Sequence, residues 1–248
     1  MLFWRCESQK MIETKLDWIN NKTIYEVNWR QFTDKGDIHS LKEHIPRLKE
    51  MGVGILWFMP IHPIGKENRK GELGSYYSVK DYFTVNPELG TLEEFKNLVD
   101  YIHEMDMYVI LDWVANHTAC DNKMVIQHPE WYTKNKFGDF QPPKGTDWSD
   151  VYDLDYSQED LRNYMINAME FWVKEIDIDG FRCDVAGMVP TEFWELAVAK
   201  LQSIKSVFML AEWEEPELLD KAFHADYNWS LYHILKDIAH GKKNISLI

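Results

Sequence analysis

Three acidic residues stand at the ends of short apolar stretches of the sequence. Asp112 lies in LDWVANH, Asp184 in GFRCDV and Glu212 in MLAEW. A charged side chain within an apolar strand is costly to bury unless a partner compensates for it. One such residue is explained by a structural ion pair, but three on different strands at the same relative height favour a shared pocket. Carboxyl groups that share a pocket can act as general acids, general bases or nucleophiles.

The residues around two of these carboxyl groups predict different protonation states. Arg182 stands two positions before Asp184, and residues i and i+2 of a strand share a face. We therefore expect the guanidinium to lower the pKa of Asp184 and to keep it ionised, as a nucleophile requires. Glu212 follows four apolar residues, and such surroundings keep a proton available. One ionised and one protonated carboxyl group is the arrangement that cleaves a glycosidic bond. A structural Arg–Asp ion pair without a catalytic role is the open alternative.

The elements that position these residues are short apolar strands alternating with helices. Strands are predicted over 23–29, 54–59, 108–114, 180–185, 207–213 and 225–227. Helices are predicted over 40–51, 91–105, 158–175, 191–203 and 230–240. Ser40 is the expected N-cap of the first helix, and Thr91 with Glu94 forms the expected capping box of the second. This alternation favours an α/β fold with a parallel sheet.

The number of strands leaves two parallel architectures open. About six βα units fit a six-stranded Rossmann-like sheet, or an incomplete TIM-type (β/α) barrel that lacks about two of its eight units. No GxGxxG or GxxxxGK[ST] motif occurs, which disfavours the nucleotide-binding sheet. In a barrel, functional groups gather at the carboxyl ends of the strands, where the acidic residues stand. The incomplete barrel is therefore the predicted fold.

One irregular segment interrupts the alternation after the third strand. It is rich in Pro, Gly, Asp and Trp, and it is too long for a simple βα loop. We predict a small inserted subdomain over 116–156, with the incomplete barrel formed by 1–115 and 157–248.

Composition excludes several classes of partner. The chain has 248 residues, with 41 acidic and 27 basic ones and a formal charge of −14. Such a field disfavours nucleic acid and anionic membranes but tolerates a neutral sugar.

Three dispersed cysteines, Cys6, Cys120 and Cys183, show no zinc spacing and are expected to be free thiols. The first residues show no secretory signal, so a cytoplasmic location is expected. The sequence leaves the oligomeric state open.

The motifs, taken together and in this order, resemble the α-amylase family of glycoside hydrolases. DWVANH resembles the family's region I, GFRCDV its region II, and the strand end at Glu212 its region III. GILWFMPIHP, SYYSVKDYFTVNPELGT and VYDLDYS resemble three supporting segments, so the likeness covers roughly 23–228. The resemblance implies a retaining hydrolase of α-glucosidic bonds in starch-like substrates or maltooligosaccharides.

The resemblance also implies a role for each matching residue. Asp184 would be the nucleophile, and Glu212 the general acid and then the base. Retention requires their carboxyl groups to lie about 5 to 5.5 Å apart. Three residues would bind substrate: Tyr77 stacks under the sugar, His117 hydrogen-bonds its hydroxyls, and Arg182 orients the nucleophile. Asp112 would support Arg182.

Calcium is a further implication, because many members of the family bind this ion through the asparagine of region I. Asn116 is the candidate ligand, with Asp153 a weaker one. An oxygen-only site suits calcium chemically. A calcium ion and no metal at all both stay open.

Two departures from the family pattern change the expectation. Family members with a complete region II usually carry Lys and His three and four residues after the nucleophile. Here these positions are Gly187 and Met188, so the leaving-group side of the cleft is expected to differ. Region IV of the family is a His-Asp pair on the seventh strand. No such pair follows Glu212: the nearest stretch, HAD at His224–Asp226, comes too early and lies on the predicted sixth strand. We therefore expect a fragment with impaired hydrolase activity. A transglycosylase or α-glucoside isomerase of the same family, and a non-catalytic amylase-like binding module, are the alternatives.

Overall fold

The computed structural model describes residues 16–247, so Cys6 lies outside the described residues. The strands are β1 Thr23–Val27, β2 Val53–Phe58, β3 Tyr108–Trp113, β4 His117–Ala119, β5 Val151–Asp153, β6 Gly180–Cys183, β7 Phe208–Ala211 and β8 Ala225–Asp226. The helices are α1 Trp29–Phe32, α2 Ile38–Lys42, α3 Ile45–Glu50, α4 Leu92–Glu104, α5 Met124–Gln127, α6 Glu159–Glu175, α7 Thr191–Gln202 and α8 Trp229–Ala239.

One parallel sheet organises the described residues. Its strands lie in the order β1-β2-β3-β6-β7-β8, and every neighbouring pair is parallel. The sheet confirms the six predicted strands, each of which begins within one residue of its predicted start. Near-continuous apolar strands form because both of their faces are covered. Helices lie between successive strands up to β7, as a barrel requires, and a 3-10 turn at Pro216–Leu219 joins β7 to β8.

The sheet curls, and its two faces pack different cores. The outer face packs on the helices through residues such as Phe58, Leu111 and Phe181. The inner face carries a separate apolar cluster that includes Ile110 and Phe208. Alternation along a strand places neighbours on opposite faces. Functional residues that share a parity with the inner cluster therefore point into the curl.

The first long helix differs from its prediction over 40–51. Asp37, not Ser40, is the N-cap, because its carboxylate accepts a hydrogen bond of 2.7 Å from the Ser40 backbone N–H. The helix ends at Lys42, and α3 restarts with Pro46 in its first turn. Proline has no N–H to donate and is favoured at a helix start. The capping box of Thr91 and Glu94 is present as predicted.

The region 116–156 contains little regular structure. β4 and β5 form a two-stranded antiparallel sheet in which His117 pairs with Asp153. The short helix α5 and a 3-10 turn at Pro129–Trp131 lie between them. The boundary of an inserted subdomain at 116–156 stays a prediction.

The structure also describes two of the three cysteines and the apolar character of the helices. Cys120 and Cys183 are buried free thiols. Over residues 16–247, no helix combines the length and apolar character that crossing a bilayer demands.

Candidate active site

Arg182 on β6 joins three carboxyl groups that the sequence places far apart. Its Nη1 donates to Asp112 Oδ1 at 2.8 Å and to Asp184 Oδ1 at 3.1 Å. Its Nη2 lies 2.7 Å from Glu212 Oε2. The Arg182 side chain is only 4 % exposed. One guanidinium therefore brings the two predicted catalytic carboxyl groups to the same side of the sheet.

The register of the parallel strands explains this convergence. Asp112 on β3 pairs directly with Arg182 on β6. Cys183 pairs with Ala211, and the Glu212 backbone N–H then donates to the Cys183 carbonyl at 3.0 Å. Side chains at the same height on adjacent parallel strands are neighbours when they share a face. The register of β3, β6 and β7 thus places all four charged groups close together at one end of the sheet.

Two aromatic residues that the sequence reasoning missed hold Arg182 in place. The guanidinium carbon lies 5.0 Å from the centre of the Trp57 ring and 5.7 Å from that of Tyr227. Trp57 Nε1 also donates to Asp112 Oδ2 at 3.1 Å, and Arg182 Nε donates to the Tyr227 hydroxyl at 3.2 Å. The alternation of side chains along β2 and along the stretch after β8 could have predicted their position, because it turns both rings towards the inner face of the sheet.

The expected lowering of the pKa of Asp184 is wrong in its net direction. Burial raises this pKa well above its ordinary value, and Asp112 adds to the increase, while Arg182 opposes both. Burial likewise raises the pKa of Asp112 to about 6, although Arg182 lowers it. One guanidinium cannot compensate for the two buried carboxylates and the partly exposed Glu212, because each unpaired charge is costly in a low dielectric. The cluster therefore retains a proton.

Burial and neighbouring charges also set the protonation states of Arg182 and Tyr227. Burial opposes the charge of Arg182, but Asp112 and its other acidic neighbours raise the pKa of the guanidinium. Burial raises the pKa of Tyr227 to about 12, so its hydroxyl stays protonated at neutral pH. The guanidinium consequently stays charged.

Glu212 lies in more polar surroundings than its sequence neighbours suggest. Besides Arg182, it accepts a hydrogen bond of 3.0 Å from the Val185 backbone N–H, and its side chain is 22 % exposed. Val185 has φ 38° and ψ 49°, the left-handed region that a β-branched residue rarely adopts. Such strain concentrates at functional sites. Here it aims an N–H at the predicted acid/base.

A cavity of about 370 Å³ opens over these groups. Tyr77 and His117 line it together with Arg182, Asp184 and Glu212. The Tyr77 hydroxyl donates to Asp112 Oδ2 at 3.3 Å. Burial lowers the pKa of His117 to about 4, so its ring is neutral. The structure thus brings together the residues predicted to bind and cleave a sugar.

Four further lining residues were given no individual role in the sequence analysis. Ser75 and Lys70 lie in the β2–α4 loop (59–91), and Trp148 and Asp150 lie in the region 116–156. Polar and aromatic residues in irregular segments are common, so their types alone gave no signal. Only their meeting at one cavity distinguishes them.

The two candidate calcium ligands do not form a cation site. Asn116 Nδ2 donates to His117 Nδ1 at 3.3 Å, and Asp153 accepts a hydrogen bond of 2.9 Å from Thr133 Oγ1. Calcium needs about six to eight oxygen ligands. Within residues 16–247, no three His, Cys, Asp or Glu side chains are grouped as metal ligands would be. Asn116 and Asp153 alone are too few to hold the ion.

The fold agrees with a comparison to known proteins. The family model "Alpha amylase, catalytic domain" matches residues 13–148 and 144–215. The chain therefore belongs to the α-amylase family, a family of glycoside hydrolases. It is 26% identical to "Alpha-amylase 3" of Dictyoglomus thermophilum, over 93% of this chain and 52% of that protein. It is 28% identical to a cyclomaltodextrinase of a Bacillus species, over 74% of this chain and 35% of that protein.

Solved structures give the same result. An α-amylase from Lactobacillus plantarum superposes with a TM-score of 0.88 at 36% identity, over 92% of this chain and 58% of that one. A maltogenic α-amylase, AmyB, from Thermotoga neapolitana superposes with a TM-score of 0.84 at 42% identity, over 91% of this chain and 53% of that one. The chain thus spans about half the length of these relatives. The predicted incomplete TIM-type barrel is confirmed.

Proposed function

We propose that this chain carries the nucleophile and the acid/base of a retaining glycoside hydrolase that acts on α-glucosidic bonds of starch-like substrates or maltooligosaccharides. The observation that carries the proposal is the shared guanidinium: Arg182 contacts both Asp184 and Glu212 at the floor of one cavity. Two carboxyl groups flanking one sugar ring are the minimum that retention requires.

The reaction would proceed in two steps. Asp184 attacks the anomeric carbon and forms a glycosyl ester, while Glu212 gives its proton to the departing glycosidic oxygen. Glu212 then takes a proton from water, whose oxygen attacks the same carbon and releases Asp184. In the first step the proton of the carboxyl cluster must reside on Glu212, so that Asp184 is ionised, and in the second step Arg182 stabilises the charge that returns to Asp184.

The surrounding residues would hold the sugar. The neutral ring of His117 can exchange hydrogen bonds with hydroxyls, and the Tyr77 ring offers a flat apolar face. Calcium has no part in this proposal, because Asn116 and Asp153 do not form its ligand shell. A cytoplasmic location and a separate subdomain at 116–156 stay predictions.

Covalent trapping tests the proposal. A fluoroglycoside whose fluoride leaves without an acid should label the intact chain, and mass spectrometry of its peptides should locate the sugar on Asp184. Glu212→Gln should still form the ester and should release it more slowly. Asp184→Asn should form none, whereas Asp147→Asn at an exposed position should behave as the parent chain does. A folded chain that forms no ester, or one labelled elsewhere, overturns the proposal.

Product analysis separates hydrolysis from its closest alternative. Incubation with starch, maltose and sucrose, followed by chromatography, should yield shorter sugars with the anomeric configuration retained, but at a rate far below that of a full-length member of the family. Products longer than the substrate, or an isomer of it, would instead indicate transglycosylation or isomerisation.

A further inference from the structure

The turn that directly follows Asp184 has a strained backbone. Val185 has φ 38° and ψ 49°, and a β-branched side chain pays a steric cost in this left-handed region. Such a conformation persists only where the surrounding structure holds it in place. The two-step cleavage assigns no role to the residues that hold this turn. The contacts on either side of Val185 show what the strain achieves.

The strained N–H group binds one particular oxygen of the predicted acid/base. The Val185 N–H donates to Glu212 Oε2 at 3.0 Å, and Arg182 Nη2 lies 2.7 Å from the same atom. Each oxygen of a carboxylate offers about two lone-pair positions, so these two donors fill those of Oε2. The proton that Glu212 gives to the departing oxygen must then be carried by Oε1. The turn thereby selects the oxygen that transfers the proton.

A tryptophan of α7 anchors this turn. Trp194 Nε1 donates to the Ala186 carbonyl at 3.0 Å, and the Val189 N–H donates to the same carbonyl at 3.2 Å. Ala186 directly follows Val185, so the indole fixes a peptide group within one residue of the strained backbone. A buried donor that loses its partner is costly, which keeps the indole and the carbonyl together.

The anchor is itself held rigidly. Trp194 is fully buried in the first turn of α7, and its ring centre lies 5.0 Å from that of Phe193 and 5.3 Å from that of Phe223. Side chains in a close-packed interior stay in one rotamer on average. A second indole, that of Trp213, packs against Gly187 in the same turn. The strained turn is therefore fixed from α7 and from the stretch after β7.

We propose that Trp194 is a positioning residue for the acid/base. Through the Ala186 carbonyl it holds Val185 in the left-handed conformation, and the Val185 N–H then occupies Glu212 Oε2 and leaves Oε1 to carry the proton. Trp194 does not line the cavity, so it acts on the reaction only through this turn. The inference rests on the proposed function and makes both proton transfers depend on a residue outside the cavity.

Separate rates of labelling and release test this role. Fluoride leaves the fluoroglycoside without an acid, so labelling of Asp184 does not need Glu212, whereas attack by water needs it as the base. Trp194→Phe removes the N–H donor and should label Asp184 within about twofold of the parent rate, but should release the sugar about tenfold more slowly. Mass spectrometry of samples quenched over time measures both rates.

Azide distinguishes a misplaced base from general damage to the site. It attacks the anomeric carbon of the ester without giving up a proton, forms a glycosyl azide and releases Asp184 as a carboxylate. Azide should therefore restore release in Trp194→Phe, as it should in Glu212→Gln. Trp172→Phe is the matched control, because Trp172 is also fully buried and its Nε1 donates to the Tyr82 carbonyl at 2.7 Å. That variant should be less stable but should release the sugar at the parent rate.

Two further variants separate the lost hydrogen bond from lost packing. Benzothienylalanine at position 194 has sulfur in place of the N–H and keeps the shape of the ring, so it should slow release as Trp194→Phe does. In a Val185→Gly background, Trp194→Phe should slow release less than about twofold, because glycine adopts the left-handed conformation without strain. Thermal unfolding of each variant confirms that a slower release does not reflect a lost fold.

The outcomes distinguish this inference from the proposed function. The positioning role is wrong if Trp194→Phe and the sulfur analogue release the sugar as Trp172→Phe does, or if azide restores nothing. It is also wrong if the Val185→Gly background leaves the full tenfold effect. In each of these cases the proposed function survives, since the parent chain is still labelled on Asp184. If the parent chain is never labelled, both proposals fail.

Discussion

Trp213 packs against Gly187 so closely that a β carbon at position 187 would overlap the indole ring. Gly187 belongs to a short 3-10 turn directly after β6, and Trp213 directly follows Glu212. Any side chain at position 187 therefore competes with Trp213 for one volume. The α-amylase pattern has lysine at this position, and the indole accounts physically for the glycine found here.

Replacement of Gly187 by alanine should destabilise the protein. The added methyl group meets rigid ring atoms, and overpacking of this kind costs about 1–3 kcal/mol. Urea unfolding of Gly187→Ala should show this loss. In a Trp213→Ala background the same change should cost much less, since the competing ring is gone. Equal costs in the two backgrounds would show that the two residues do not compete.

Loss of the Arg182 guanidinium should destabilise the chain increasingly as the pH rises. Removal of one partner from a buried charge cluster costs about 3–5 kcal/mol. Arg182 lowers the pKa values of Asp112 and Asp184, so its removal raises both further. A folded-state pKa above the unfolded value gives stability that is present at low pH and is lost as the pH rises through it.

Urea unfolding of Arg182→Met at several values between about pH 5 and 8 checks this expectation. The deficit relative to the parent chain should grow from the acidic to the alkaline end of that range. Arg47→Met, at an exposed arginine, is the control and should show a small, constant effect. A deficit that shrinks with rising pH would contradict the assigned cause.

Trp57 should act as a positioning residue for the site. Trp57→Phe keeps an aromatic ring near Arg182 and removes the N–H that donates to Asp112. That hydrogen bond lowers the pKa of Asp112. In the variant the pKa of Asp112 should therefore rise above about 6. We expect slower covalent trapping at Asp184, a pH profile displaced to higher pH, and little change in sugar affinity.

A second tryptophan provides the control for this experiment. Trp29 Nε1 donates to the Met59 carbonyl at 3.1 Å and does not line the cavity. Trp29→Phe should therefore lower stability without moving the pH profile of trapping. If both variants shift the profile equally, the shift reports general loosening of the fold.

Burial of His62 should make the fold sensitive to acid. His62 packs against the rings of Tyr82, Trp113 and Trp172, and burial lowers its pKa to about 4. Because the unfolded chain takes up a proton near pH 6.5, stability is complete above that value. It should fall by up to about 3 kcal/mol as the pH drops towards 4.

His62→Phe should flatten this acid limb of the stability curve. The variant should also lose about 1 kcal/mol at neutral pH, because the Thr84 carbonyl loses its 3.2 Å contact with His62 Nδ1. Urea unfolding between about pH 4 and 7 measures both effects. His39→Gln, at an exposed histidine, is the control. An unchanged slope in His62→Phe would assign the acid sensitivity to other groups.

Some predictions from sequence succeeded because they depend on local patterns. Continuous apolar runs gave the strands, and the i, i+2 alternation gave the shared face of Arg182 and Asp184. The Thr91 capping box needs only four consecutive residues. The predicted N-cap at Ser40 was wrong, because Asp37 caps the helix three residues earlier and Pro46 lies in the first turn of a separate helix.

The sequence by itself determined the parallel strands, the carboxyl groups at their ends and the order of the family motifs, since each is written in consecutive residues. Tertiary structure alone decided how deeply Asp184 is buried, and with it the direction of its pKa shift. It also decided that Trp57 and Tyr227 clamp Arg182, and that Trp148 and Asp150 meet the β2–α4 loop at one cavity. Burial and long-range contact are sums over residues distant in the chain, and no local pattern records them.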